Sequence, residues 1–369
     1  MILTALSMTS CTAKPNEDYC VAGAVDGVYK CTKTWSTMFD TTVSLTLYLA
    51  PKERYDVEKV FVDVEAMLLK YHQYFDKYNE YSGVNNVYTI NLNNHDETVI
   101  DQELFNAIEY VVSQERTIKI GNTAMFNIAL NPVLKVWHEA RENPLCSSML
   151  GIDTCPVPSE ESLAGPFNIN PDDILLDRET LTISFAKPNM SIDLGGFGKG
   201  YASEIVTDYL DNLGYAYILN AGNSNVKAGG INPNNQDGFY YVVLQEPTFE
   251  IYSNSYYITL KVPQSVSIVT SGNYQRYFIG TTDGLYYNHI IDPRTYQPSG
   301  DLSHPTAVSV LFDDGGMADI YSTAVYLMGY TDGLAYVESV EGLEAVWYLP
   351  DGSVAYSSGF DQYVYQLTN

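Results

Sequence analysis

Apolar residues recur along this chain in two rhythms, one helical and one alternating, and their succession predicts an α+β body. Residues 38–49 alternate well enough for a first strand. Residues 56–75 set apolar side chains at helical spacing against a charged opposite face, which predicts a long helix. The helical pattern returns at 101–118, and the apolar stretch 123–128 leads toward a further helix that contains Val136 and Trp137. From 143 to 171 the pattern lapses into a segment with five prolines, which predicts a surface insertion. A strand at 181–185 and a helix at 201–213 follow. The second half is richer in strands, at 215–219, 239–245, 256–262, 265–270, 306–311 and 345–348, with a helix at 317–328 before the last of them. No run reaches the ~20 apolar residues that a membrane-spanning helix needs.

Composition narrows the classes. A chain of 369 residues with 46% hydrophobic and 13% aromatic positions folds around a large core and is not disordered. Its 45 acidic against 19 basic residues give a net charge of -26, which repels phosphate polymers and argues against nucleic acid as a partner. An anionic ligand must therefore be held locally, by backbone donors, a few cationic side chains or a metal. The first eleven residues form a small apolar run that ends in small residues and Cys11, similar to the end of a lipoprotein signal peptide, although Met8 stands where leucine is usual. The expectation is a lipid on Cys11, a signal remnant and tether over 1–31, an extracytoplasmic protein anchored to the cell membrane, and one domain over 32–369. The other four cysteines fall as two local pairs, Cys20 with Cys31 and Cys146 with Cys155. They suit local disulfides outside the cytoplasm, or four free thiols; no C-x-x-C spacing favours zinc.

Candidate chemistry gathers in the connections. Between the strand at 181–185 and the helix at 201–213 stand Gly195, Gly196, Gly198 and Gly200, with Lys199 among them. Glycines there would let a phosphate approach backbone N–H groups at a helix start, or would simply make a tight turn. Residues 75–86 form a polar, aromatic loop of the kind where a ring stacks on a ligand. His289, Asp292 and Arg294 pack a titratable ring, a carboxylate and a guanidinium into one short segment. Asp319 and Thr323 are four apart on a predicted helix and offer a carboxylate and a hydroxyl on one face, hard oxygen ligands suited to Mg²⁺. The same pair also suits an ordinary helix start, and His289 an ordinary half-buried histidine.

Five motifs in order then carry a resemblance. They are I-D-L-G-G-x-x-K-G-Y-A from Ile192, N-A-G from Asn220, T-S-G-x-Y-x-R-Y-F from Thr270, H-I-I-D-P-R-T from His289 and A-D-x-x-S-T-A from Ala318. Together, from about residue 37 to 350, the chain resembles the ApbE-type FAD:protein FMN transferases. The resemblance implies a single large T-fold-like α+β domain, with mixed or antiparallel sheets and flanking helices. It implies a Mg²⁺-dependent enzyme, usually an exported lipoprotein, that cleaves FAD and joins FMN through its phosphate to a Thr or Ser of an acceptor protein. Carried over by position, it places Met38, Tyr78, Met125, Phe126 and Asn127 around the flavin, and Asp193, Lys199 and Ser322 against FAD. The metal would be held by the Gly196 carbonyl, Asp319 and Thr323, and His289 would be the base; were it not, Asp292 or the metal itself would be next in line to activate the hydroxyl.

Some positions depart from the family's pattern. Asn127, Asn223, Ser224 and Asn273 stand where Asp or Gly is usual, and Asn131 and Tyr296 where Gly is usual. An FAD pyrophosphatase, which would use water in place of the protein hydroxyl, and a non-catalytic FAD-binding lipoprotein are the other classes these residues admit. One expectation is testable on the chain as expressed with its native signal: Cys11→Ser should move the protein from membranes to the soluble fraction. Equal partition of the two forms on ultracentrifugation would make the N-terminus an ordinary tail.

Overall fold

The computed structural model describes residues 19–149, 152–248, 255–299 and 304–368; Cys11 lies outside them. Nine strands form the main sheet: Cys20–Ala22, Tyr29–Met38, Thr41–Leu49, Ala216–Ala221, Asn225–Gly229, Val266–Gly272, Ala307–Phe312, Glu344–Tyr348 and Val354–Tyr356. Their order across the sheet is their order along the chain, and every pairing is antiparallel. Among the described residues seven α-helices accompany them: α1 Val57–Phe75, α2 Val87–Asn93, α3 Gln102–Glu115, α4 Asn131–Arg141, α5 Glu160–Leu163, α6 Gly198–Asn212 and α7 Gly315–Val337. All but the last helix fall in the long excursion between the third and fourth strands.

Alternation explains the two faces of the sheet. Along Thr41–Leu49 the side chains of Val43, Leu45, Leu47 and Leu49 are buried with Val57, Val60, Phe61 and Val64 of α1, and each such burial contributes about 1.5–3 kcal/mol. The opposite face is covered by a three-stranded antiparallel sheet of Tyr240–Gln245, Tyr256–Val262 and Val364–Leu367. Ile218, Ile268, Leu311 and Val346 of the main sheet meet Tyr240, Ile258 and Leu260 across that interface. Helix α7 is apolar nearly all round because it runs through the largest core, and it kinks at Gly329, where φ is +74°.

The structure revises three expectations. Residues from Cys20 onward belong to the main sheet, so the ordered body begins inside the stretch read as tether: Cys20 pairs with Cys31 in register and the two are disulfide-bonded. The segment 143–171 contains a hairpin, Ser147–Met149 with Ile152–Cys155, stapled by the Cys146–Cys155 disulfide. Its second strand runs parallel to Tyr277–Gly280, so the insertion completes a mixed sheet with the strand that leads to His289. The glycine stretch is the third case. Helix α6 already starts at Gly198, and its glycines serve packing more than a turn: a Cβ on Gly198 would lie 2.7 Å from the Phe75 ring, and one on Gly200 only 2.0 Å from the Gly315 carbonyl oxygen.

Gly200→Ala measures that crossing. Alanine gains about 1 kcal/mol over glycine in a helix interior, whereas overpacking of a close contact costs about 1–3 kcal/mol. Since the obstacle here is backbone and not a flexible side-chain tip, the clash should win, giving a lower urea midpoint with an unchanged m value. A midpoint at or above the wild type's would show that α6 and α7 separate freely.

Candidate active site

A cleft of about 730 Å³ opens at one end of the main sheet. Three chain reversals or strand ends meet there: residues 39–41 after the second strand, Gly222–Ser224 after the fourth, and Thr270–Gly272 at the end of the sixth. The loop 76–79, the stretch 125–127, the outer face of α4, the glycine stretch 193–199 and residues 287–291 complete the wall.

Helices α6 and α7 build the floor by matching four-residue steps. Gly315, Asp319 and Thr323 lie along one face of α7; Gly196, Gly200 and Glu204 lie along the facing edge of the glycine stretch and α6. Contacts join the two rows in antiparallel order. A Cβ on Gly196 would stand 3.9 Å from the Thr323 hydroxyl, the Gly200 N–H donates to Asp319 Oδ2 at 2.6 Å, and the Gly315 N–H donates to Glu204 at 2.7 Å. Glu204 also accepts from the buried Lys227 ammonium at 2.6 Å through both oxygens, and Lys227 donates to the Asp313 carbonyl. The first turn of α7 is thus held by an ion pair and by Asp314, whose side chain caps the Met317 N–H.

Asp319 is 5% exposed and forms no ion pair among the described residues. Burial raises its pKa to about 6, against Lys199, the Gly200 N–H and the Asn225 amide, which favour the ionised form. Such a carboxylate lacks a full counter-charge, and the Thr323 hydroxyl and Gly196 backbone beside it are neutral oxygen donors. The set fits a hard divalent cation that keeps open positions for other oxygens. Among the described residues no group of three or more His, Cys, Asp or Glu could hold a metal.

His289 opens onto the same cleft. The residue is exposed in the cleft, yet the protein packed around it disfavours the charged ring and lowers its pKa to about 4; Arg276, Arg141 and Lys199 push the same way, against the Arg276 carbonyl. At neutral pH the ring is therefore uncharged. The Arg276 carbonyl accepts from the His289 backbone N–H at 3.1 Å and faces Nδ1 at 3.2 Å, which assigns the ring proton to Nδ1 and leaves Nε2 as the acceptor.

Most of the residues expected from the sequence line this cleft: Tyr78, Met125, Phe126, Asn127, Asp193, Gly196, Lys199, His289, Asp319, Ser322 and Thr323. Two do not. Met38 is buried in the core cluster that holds Trp35, Val43 and Phe61, because the strand's register shifts between Trp35 and Met38, and its neighbours Thr37 and Phe39 line the cleft instead. Asp292 is buried in a turn, where it accepts from the Arg294 N–H and holds the Arg294 guanidinium at 2.7 Å, which in turn donates to the Leu327 carbonyl. It fixes the loop after His289 and is no candidate base.

Other residues emerge only in three dimensions. Lys77 donates to Asp193 at 2.7 Å and to Asn131 at 2.8 Å. Burial opposes its charge, but Asp193 and Tyr78 outweigh that and raise its pKa. Tyr78 stands between Lys77 and the His138 ring, whose centroid is 5.0 Å away. Glu115 is wholly buried; it accepts from the Ile128 N–H at 2.8 Å and so anchors the stretch 125–128, and burial lifts its pKa to about 8. The departures from the family pattern also find places. Asn127 caps Ala129 and donates to the Ile169 carbonyl, while Asn223 and Tyr296 sit at φ +58° and +61°, where glycine would be unstrained.

The family model described as ApbE family matches residues 39–347. The chain belongs to the ApbE family. Among curated relatives, the FAD:protein FMN transferase of Klebsiella pneumoniae (strain 342) is 27% identical over 237 residues, 63% of this chain and 66% of that one. A protein of the same name from Vibrio cholerae is 31% identical over 160 residues, 43% of this chain and 45% of that one. The chain thus matches less than two thirds of these relatives' length. Among solved structures, the ApbE protein of Thermotoga maritima gives a TM-score of 0.73 at 20% identity, covering 92% of this chain and 100% of that one. The apo form of the flavinyl transferase ApbE of Pseudomonas stutzeri gives 0.70 at 22%, covering 91% and 96%. The α+β single-domain fold expected from the sequence is the fold these proteins share.

The Lys77–Asp193 pair should behave as a coupled unit. Lys77→Met leaves a half-buried carboxylate unpaired, and Asp193→Asn leaves the ammonium; each should cost about 1–3 kcal/mol of stability, with the double variant recovering part of the loss. Additive losses across the denaturation cycle would mean that the pair is not coupled and that Asp193 is free to face a ligand.

Proposed function

We propose that this chain is a Mg²⁺-dependent FAD:protein FMN transferase. The observation that carries the proposal is that one cleft brings together a neutral histidine with Nε2 as acceptor and the oxygen set of Gly196, Asp319 and Thr323. The ApbE membership and the relatives called FAD:protein FMN transferase support it. Two disulfides and the signal-like segment ending at Cys11 support an extracytoplasmic, lipid-anchored location.

In the proposed reaction the hydroxyl oxygen of an acceptor Ser or Thr attacks the phosphorus of the FMN half of FAD. The bond from that phosphorus to the bridging oxygen breaks, AMP leaves with the bridging oxygen, and the hydroxyl proton passes to His289 Nε2. Mg²⁺, when bound, supplies the charge neutralisation that a pyrophosphate needs in so acidic a chain. Asp319, Thr323 and the Gly196 carbonyl would hold it. Lys199 adds a cation to the same wall, Phe126 and Tyr78 offer ring faces to the flavin, and the Arg276 carbonyl keeps the His289 proton on Nδ1.

Mass spectrometry of an acceptor peptide incubated with FAD and Mg²⁺ tests the reaction. Asp319→Ala should abolish both Mg²⁺-dependent FAD binding and FMN transfer, whereas His289→Ala should keep FAD and slow transfer by roughly 10²–10⁴-fold. Release of FMN and AMP without acceptor would identify a pyrophosphatase, and absence of both products a binding protein. Transfer at the wild-type rate by His289→Ala would place the base elsewhere.

The pH profile supplies a separate check. A base must be neutral to act, and the protein and cations around His289 have lowered its pKa to about 4. At saturating Mg²⁺, so that protonation of Asp319 does not limit the rate, activity should hold from neutral pH down to about 5 and fall only as pH approaches the His289 value. A fall that sets in at the ordinary histidine pKa of about 6.5 would show a ring that is fully hydrated in the working enzyme.

A further inference from the structure

The strand Asn225–Gly229 carries a buried asparagine that sheet packing alone does not require. Asn225 is 1% exposed, in register between Ala221 and Val269 on the neighbouring strands. Its side-chain N–H donates to Asp319 Oδ1 at 3.3 Å, yet its own Oδ1 has no partner among the described residues. The orientation is dictated by charge, since a flipped amide would set its oxygen against a carboxylate oxygen. A buried carbonyl oxygen without a partner destabilises a fold. Leucine has the same branched shape and would not carry that unpartnered oxygen, so what asparagine contributes here is its one donation to Asp319.

What Asn225 does supply is the second tie on one carboxylate. The Gly200 N–H holds Asp319 Oδ2 at 2.6 Å, and the Asn225 amide holds Oδ1, so the carboxylate cannot turn about its Cβ–Cγ bond without breaking one of them. Gly200 is fixed by the helix crossing; Asn225 is the only side chain that ties Asp319 among the described residues. We propose that Asn225 is a positioning residue for a divalent cation, locking the rotation of the Asp319 carboxylate beside Thr323 and Gly196. This rests on the reading of those three residues as the metal site. Groups that hold a ligand from behind without touching the metal commonly change affinity by 10–100-fold when removed.

The test uses the full chain stripped of metal, with Mn²⁺ as the probe and the electron paramagnetic resonance signal of the free ion as the readout. Asn225→Leu should bind Mn²⁺ roughly tenfold more weakly than wild type, while keeping one cooperative urea transition with an unchanged m value, since the loss of the unpartnered oxygen offsets part of the lost hydrogen bond to Asp319. A tenfold loss of Mn²⁺ affinity in a variant that keeps its cooperative fold is what a merely structural residue would not produce. Asn225→Ala should show the same loss of affinity and keeps the test open if the leucine variant does not fold. Equal Mn²⁺ affinity in wild type and either folded variant overturns the positioning role while leaving the metal site intact. Failure of wild type itself to bind Mn²⁺ overturns the metal site and this role together.

Discussion

Two helices reach backbone contact only where neither presents a Cβ, and Gly200 and Gly315 meet that condition where α6 crosses α7. The close crossing brings the Gly200 N–H within 2.6 Å of Asp319, one turn along α7 from Gly315. A further turn brings Thr323 opposite Gly196. The spacing of the candidate metal ligands is therefore the pitch of a helix read off against a second helix, and little else needs to be specified once the crossing is made. Glu204 and Lys227 fix its register. A buried ion pair seldom adds net stability, because desolvation offsets most of the Coulomb gain. Here its geometry does something stability does not measure: it fills the donors at the first turn of α7 and so sets where Asp319 falls along the cleft.

Elements with a clean apolar rhythm were legible in the sequence. The helix at 56–75 and the strands at 256–262, 306–311 and 345–348 are found within a residue or so of their expected bounds. The strand Asn225–Gly229 was not seen, and the reason is physical: Asn225 and Lys227 are buried polar residues, so they erase the alternation that betrays a strand. Those two residues are also the ones that serve Asp319 and Glu204. The hairpin inside 143–171 was masked by prolines and by strands of three and four residues, too short to show a period. In the site, motif positions were readable because they are local in sequence. Lys77 was not, since nothing near it in the chain announces Asp193 more than a hundred residues away. Asp292 looked catalytic for the opposite reason, because proximity in sequence to His289 does not distinguish a residue that faces the cleft from one that shapes the turn beneath it.

Charge is distributed against the average of the chain. The net charge is -26, yet Lys77, Arg141, Lys199 and Arg276 all line the one cleft. Arg276, Arg141 and Lys199 add to the lowering of the His289 pKa that the surrounding protein begins, and Lys199 partly offsets the burial of Asp319, so some of the charges that favour an anionic ligand also tune the groups that would act on it.

Among the described residues the nine-stranded sheet ends in Cys20–Ala22 on one side and Val354–Tyr356 on the other, each three residues long. An open sheet of this width invites a second chain to dock strand-to-strand along its rim, and brevity is one of the ways natural proteins discourage it. At one rim the Cys20–Cys31 bond also rivets the outermost strand to its neighbour, so it cannot peel away and bare the ten-residue strand Tyr29–Met38 behind it. The first disulfide thus guards against self-association as much as it holds the fold, and a reducing environment would remove that guard from the longest strand of the sheet.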